Sequence, residues 1–186
     1  KQLRSHPMTG EQLPKLGTAG FVRGMQRQHL LATKNYARGS YDDYDMLSGQ
    51  ALREKYLVTN GGCVTCPIHC GRVVEVNGKK VKGPELETIA LLGSNLLNND
   101  LESIIRINYL CDEYRLDTIC FGSSVGLAME LNEKGLWNNG LSFGDVSGLE
   151  ELVKLVATRT GFGDDIAQGT KRMSEKYGGK EFAMHV

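Results

Sequence analysis

The chain has 186 residues, 40% of them hydrophobic, and balances 22 Lys and Arg against 22 Asp and Glu. That is the composition of one soluble globular domain, long enough to remove about two-thirds of its unfolded surface from water. Zero formal net charge leaves no electrostatic footprint for nucleic acid or an anionic membrane, and no apolar run approaches the roughly 20 residues that cross a bilayer.

Residues 1–60 are rich in Gly, Tyr, Asn and Asp, with Thr9-Gly10, Asn35 and Arg38-Gly39-Ser40 as breakers, and show no long periodic run. They predict a largely irregular, surface-lying stretch. The stretch from Lys1 to Lys15 holds no apolar signal core, so nothing argues for export. A helix is expected near Ser48, whose hydroxyl can cap the free amides ahead of Ala51, Leu52 and Tyr56. Residues 61–83 form a cysteine loop followed by the one good strand signal, Arg72 to Val81, in which Asn77-Gly78 tolerates the positive φ of a type I′ turn. From residue 84 the pattern is helical. Pro84 suits a first helical position ahead of Leu86, Ile89, Ala90, Leu92 and Leu96. Asp100 can cap the next helix, whose stripe is Leu101, Ile104, Ile105, Asn108 and Cys111. A third helix is predicted from Leu116 to Lys134, ending where Gly135 can turn left-handed. Two more are expected over Leu149 to Thr160 and Asp164 to Tyr177, separated by Gly161-Phe162-Gly163. The predicted fold class is mainly α: a single helical domain over 1–186 with one small β-hairpin, and no room for a parallel sheet.

The run Cys63-Val64-Thr65-Cys66-Pro67-Ile68-His69-Cys70 carries the chemistry. Three thiols spaced two and then three residues apart can converge on one centre, each serving a different iron of an iron–sulfur cluster. A Cys3His zinc site using His69 or a distant histidine is the competing reading. Disulfides fit poorly, because three of the five cysteines crowd into eight positions. Thiols gathered for metal imply a reducing cytoplasm. Cys111 and Cys120 stand alone in apolar helical segments, where a free cysteine ordinarily serves as a small buried hydrophobe. A fourth cluster ligand is not evident in the chain.

Three segments narrow the reading: Gly61 to Arg72 around the cysteines, Gly83-Pro84-Glu85-Leu86-Glu87-Thr88, and Asp112-Glu113-Tyr114-Arg115-Leu116-Asp117-Thr118. In order and separation they resemble the tungsten-dependent aldehyde ferredoxin oxidoreductase family, and the similarity extends through Leu91 to Leu96 and Ala128 to Gly135. The resemblance implies a longer parent, of which this chain is the middle piece. A start at Lys1 without methionine and an end at Ala183-Met184-His185-Val186 with no turn or cap signal suit an excised or proteolysed fragment. It further implies a tungsten or molybdenum ion held by two pterins beside a [4Fe-4S] cluster. An aldehyde and water become a carboxylate there, and electrons leave through the cluster to ferredoxin.

Carried over residue by residue, Cys63, Cys66 and Cys70 are three cluster ligands, with the hairpin after Arg72 expected to shield the cluster. Glu87 is the catalytic glutamate near the metal, a candidate general base, although any carboxylate in a first helical turn is favoured by the macrodipole. Glu85 keeps only that helix-end reading. Asp112, Leu116, Asp117 and Thr118 are the pterin contacts, carboxylates being able to accept two hydrogen bonds from an amino-pyrimidine. Glu87, Asp112 and Asp117 are therefore expected on one concave face with Cys63 and Cys70. Expected partners are the remaining parent domains, ferredoxin or a similar carrier and a small aldehyde, with homodimerisation through packing left open.

Two departures stand out. The family usually has glycine before the leucine, whereas this chain has Arg115, a long side chain at what reads as a close-approach position or an added cation for the cofactor's phosphate. Some members bind a single iron on a two-fold axis through a Glu-x-x-His pair on the helix corresponding to Ile104–Cys111, where this chain has Arg106 and Tyr109. A non-catalytic iron–sulfur electron-transfer or scaffolding paralogue is therefore the alternative function.

Overall fold

The structure is a computed structural model that describes residues 2–184; the sequence readings at Lys1 and at His185-Val186 lie outside the described residues. Ten α-helices and three strands are present among them, so the mainly α class holds. In chain order these are α1 (Gln2–Ser5), α2 (Leu13–Leu16), α3 (Val22–Arg27), α4 (Gly49–Tyr56), β1 (Leu57–Gly61), β2 (Gly71–Val76), β3 (Lys79–Lys82), α5 (Leu86–Leu92), α6 (Leu101–Tyr114), α7 (Thr118–Glu133), α8 (Leu149–Thr158), α9 (Phe162–Ile166) and α10 (Gly169–Tyr177).

The first sixty residues depart from the irregular, surface-lying expectation. A π-helical turn at Pro7–Gln12 and 3-10 turns at Thr18–Phe21 and Tyr44–Leu47 join α1 to α4. Ala19, Val22, Leu31, Leu47 and Leu52 are buried in the core. These helices are four to eight residues long, too short to show a 3.6-residue period, and tertiary packing supplies what their length cannot. The Ser48 cap is as expected, its Oγ accepting from the Ala51 N–H at 3.2 Å.

The hairpin forms as read, with Asn77 at φ 52 and Gly78 at φ 74 between β2 and β3. A third strand was not foreseen: β1 pairs antiparallel with β2 from Leu57↔Val74 to Gly61↔Gly71, so the sheet order is β1-β2-β3. The cysteine segment is therefore the loop of a β1–β2 hairpin. Its far end, at Asn77, lies about 20 Å along β2 from Gly71 at the usual strand rise, so the β2–β3 turn points away from the cysteines instead of shielding them.

α7 is the central helix, buried on nearly every side through Phe121, Val125, Leu127, Met129 and Leu131. α5 approaches it at Gly122, where an added Cβ would come within 2.8 Å of the Leu91 Cβ and carbonyl oxygen. Two boundaries move. Pro84 precedes α5 instead of opening it, because Glu85 in extended conformation occupies the N-cap. The helix expected over Asp164 to Tyr177 is split into α9 and α10 by Gly169 at φ 82, and α9 begins at Phe162, inside the expected linker.

Candidate functional site

The cysteine loop is held open by its backbone. Thr65 and His69 take left-handed conformations (φ 66 and 54), and the Cys66 N–H bonds to the Cys63 carbonyl at 3.1 Å. Non-glycine residues at positive φ cost energy that surrounding contacts must offset, and such outliers cluster at functional sites. None of the five cysteines is in a disulfide; Cys63 is exposed, Cys66 and Cys70 are half-buried. The donor set is three accessible soft thiols on one short loop, which fits a cluster that takes one thiolate per iron. No group of three metal-ligating side chains is gathered around a single ion position among the described residues. Cys111 is fully buried in α6, and burial pushes its thiol pKa up to about 12. Cys120 departs from the buried reading. It is exposed at the start of α7, and its thiol pKa is raised first by a hydrogen bond to Asp117.

The residues expected to contact the pterin converge. α6 ends at Arg115 in the left-handed conformation (φ 59), with the Arg115 N–H on the Asp112 carbonyl at 3.3 Å and the Leu116 N–H on the Cys111 carbonyl at 2.9 Å, a paired C-terminal closure. Asp117 then caps α7, its Oδ1 accepting from the Cys120 N–H at 2.7 Å. Helix end and helix start are thus only three residues apart, which brings Asp112, Leu116, Asp117 and Thr118 to the wall of one polar cavity of about 180 Å³. Asp112 and Glu113 sit in the last turn of α6, the negative end of its dipole, where carboxylates are locally unfavourable. Violating a local rule at a cavity wall is characteristic of a working site. Arg115 is exposed and takes a positive φ of 59, a backbone conformation that by itself favours glycine at this position.

The same cavity is lined by residues that sequence reasoning passed over. Asn108 is 5% exposed and donates to the Lys82 carbonyl at 3.1 Å; Thr88 and Thr118 share a 2.8 Å hydroxyl contact. A buried Asn in an apolar stripe was the available signal at 108. Glu85 lines the cavity too, and Glu87 does not: it is exposed and makes no side-chain bond among the described residues.

Glu85 connects the cavity to the cysteine loop. Its carboxylate lies 3.9 Å from the guanidinium of Arg72, which is 6% exposed and donates to the carbonyls of Cys70 and Leu16. Burial lowers the Arg72 pKa, and the charges of Glu85 and then Cys70 offset this. The Arg72 Nε is buried without a partner. Gly17 (φ 61) is required beside it, since a Cβ there would overlap the guanidinium at 0.9 Å. Of the expected face, then, Asp112 and Asp117 share a cavity tied through Glu85 and Arg72 to Cys70, while Cys63 and Glu87 face solvent.

A family model described as "Aldehyde ferredoxin oxidoreductase, domains 2 & 3" matches residues 1–186. The chain is 41% identical over its whole length to a tungsten-containing aldehyde ferredoxin oxidoreductase of Pyrococcus furiosus and 40% identical to that of Thermococcus kodakarensis, spanning 32% of each. It is 31% identical over 60% of its length to an aliphatic sulfonate oxidoreductase, WOR-like subunit, of Pyrococcus furiosus, of which it covers 19%. In fold it is similar to a chain of the BamBC active-site complex of benzoyl coenzyme A reductase, at TM-score 0.67 and 20% identity over 90% of this chain and 27% of that one. The chain spans about a third of the curated relatives it matches along its full length.

Proposed function

The chain belongs to the aldehyde ferredoxin oxidoreductase family, and we propose that it is the part of a tungsten or molybdenum oxidoreductase that holds one pterin and three corners of a [4Fe-4S] cluster. The observation that carries this is the single polar cavity shared by Asp112, Leu116, Asp117 and Thr118 and linked through Glu85 and Arg72 to Cys70. When bound, the metal–pterin centre and the cluster supply the oxidation of an aldehyde and water to a carboxylate and the passage of single electrons to ferredoxin or a similar carrier.

The chain's own residues bind and orient. Cys63, Cys66 and Cys70 offer three thiolates, the fourth coming from elsewhere in the parent. The carboxylates of Asp112 and Asp117 accept from the amino-pyrimidine face of the pterin, and Leu116 closes the apolar side. Arg72 holds a positive charge against the cysteine loop, donating to the Cys70 carbonyl. Glu87, exposed at the start of α5, positions or deprotonates the water or hydrated aldehyde where the parent's other domains cover it.

Metal analysis and mutagenesis of the parent test the reading. Tungsten or molybdenum with about four irons per chain is expected. Asp112→Ala and Asp117→Ala should lower pterin content with the fold intact, whereas Glu87→Gln should lower turnover with cofactor retained. Zinc as the sole metal would sink the proposal, and a cluster without pterin would establish the electron-transfer paralogue instead.

A further inference from the structure

The strongest feature outside this site is a second cavity of about 490 Å³ between the N-terminal parts of α7 and α10, within the range of small-molecule sites. Its polarity is opposite to that of the first, since no carboxylate lines it. Ser124 on its wall is 4% exposed, and its hydroxyl makes no hydrogen bond among the described residues. An otherwise buried serine whose unpaired hydroxyl opens onto a cavity offers a hydrogen bond to whatever occupies it. Independently, the first three residues of α10, Gly169, Thr170 and Lys171, line the same cavity, and Gln168 at the cap provides no side-chain bond to their amides. Lys171 has no ion-pair partner among the described residues.

Tyr36 completes the site at the cost of backbone strain. Lys34, Asn35 and Tyr36 are consecutive left-handed residues (φ 51, 46 and 63), and L-residues do not adopt such a run unless tertiary contacts impose it. The fold supplies those contacts: the Lys34 N–H bonds to the Ser94 carbonyl at 3.1 Å, the Asn35 N–H to the Asn95 carbonyl and the Tyr36 N–H to the Asn95 Oδ1, both at 3.0 Å. Asn35 Nδ2 further donates to Glu130 at 2.7 Å and to the Phe182 carbonyl at 2.9 Å. The result places the Tyr36 hydroxyl 2.8 Å from Ser123 Oγ at the cavity.

We propose that this cavity binds a small organic oxyanion, its head group taken by the α10 amides, Lys171 and the hydroxyls of Ser124 and Tyr36, and its apolar body lying on Ile119. Uncapped amides at a helix start and an unpaired ammonium favour negative charge. The volume exceeds that of an oxyanion alone, and Ile119 is 44% exposed at the wall, so the ligand carries a tail. The proposal does not rest on the pterin reading.

Amide NMR titration of the 186-residue chain with hexanoate, acetate and inorganic phosphate, at constant ionic strength, tests it. Hexanoate is expected to saturate and to shift the amides of Ser123, Ser124 and Gly169 to Lys171, binding about tenfold more tightly than acetate through its extra methylenes. Lys171→Met should weaken hexanoate about fivefold and Ser124→Ala about threefold, with Lys80→Met on the β2–β3 hairpin unchanged. If Ser124→Ala loses its native spectrum, the exposed Lys171→Met still decides. Shifts confined to other surfaces, equal affinity for acetate and hexanoate, phosphate bound in preference to both, or affinity unaffected by Lys171→Met would each overturn the proposal.

Discussion

Arg115 closes α6 with φ 59, a conformation that costs an L-residue with a Cβ about 1 kcal/mol or more. Its side chain is exposed and makes no hydrogen bond or ion pair among the described residues. Arg115→Gly should therefore stabilise the chain by about 1 kcal/mol and raise its Tm by roughly 3 °C, as scanning calorimetry would measure; an unchanged or lower Tm would mean that the left-handed turn is not strained. At Asp117 the carboxylate does two jobs, capping α7 and holding the Cys120 thiol protonated by a hydrogen bond. Asn can keep the cap but removes the charge. Asp117→Asn should thus lower the Cys120 thiol pKa and speed its alkylation by iodoacetamide severalfold at mildly alkaline pH, while Cys111, buried with its pKa pushed up to about 12, stays protected in both proteins. Mass spectrometry of the labelled peptides reads the outcome.

At the scale of elements, α5 is capped from a distance. Glu85 makes no side-chain cap of its own. Thr18, far away in sequence, accepts from the Leu86 N–H at 2.9 Å and donates to Glu85 at 2.5 Å, which also fixes the carboxylate that meets Arg72. Thr18→Ala should cost about 1–2 kcal/mol in urea unfolding, and Thr18→Ser should recover most of it; equal loss in both would show that the methyl group, not the hydroxyl, matters. On α6, Arg106 is committed to Glu150 at 2.7 Å and Glu102 at 2.6 Å, and Tyr109 lies under the ammonium of Lys79 at 3.7 Å. Neither is a plausible iron ligand. Anomalous scattering from crystals of the parent is expected to show no single iron on a two-fold axis beside this helix; an iron peak there would refute the inference.

For the whole molecule, Cys63, Cys66 and Cys70, the thiols proposed to hold the cluster, lie on one loop, while Cys111 is enclosed in α6 and Cys120 stands at the start of α7. A cluster reconstituted on this chain alone should accordingly bleach in air, because one iron would lack a protein thiolate; an air-stable four-iron cluster would contradict that. What the sequence determined by itself was whatever rests on neighbours in the chain: the cysteine spacing, the Ser48 and Asp100 caps, the Asn77-Gly78 turn and the long helices α6 and α7, all governed by local hydrogen bonds and periodicity. The short helices before residue 60, the added strand β1, the cap from Thr18 and the Arg72–Glu85 link between loop and cavity were decided only in three dimensions. Each depends on partners far apart in sequence, and a four-residue helix or a capless α5 has no local free energy to announce it.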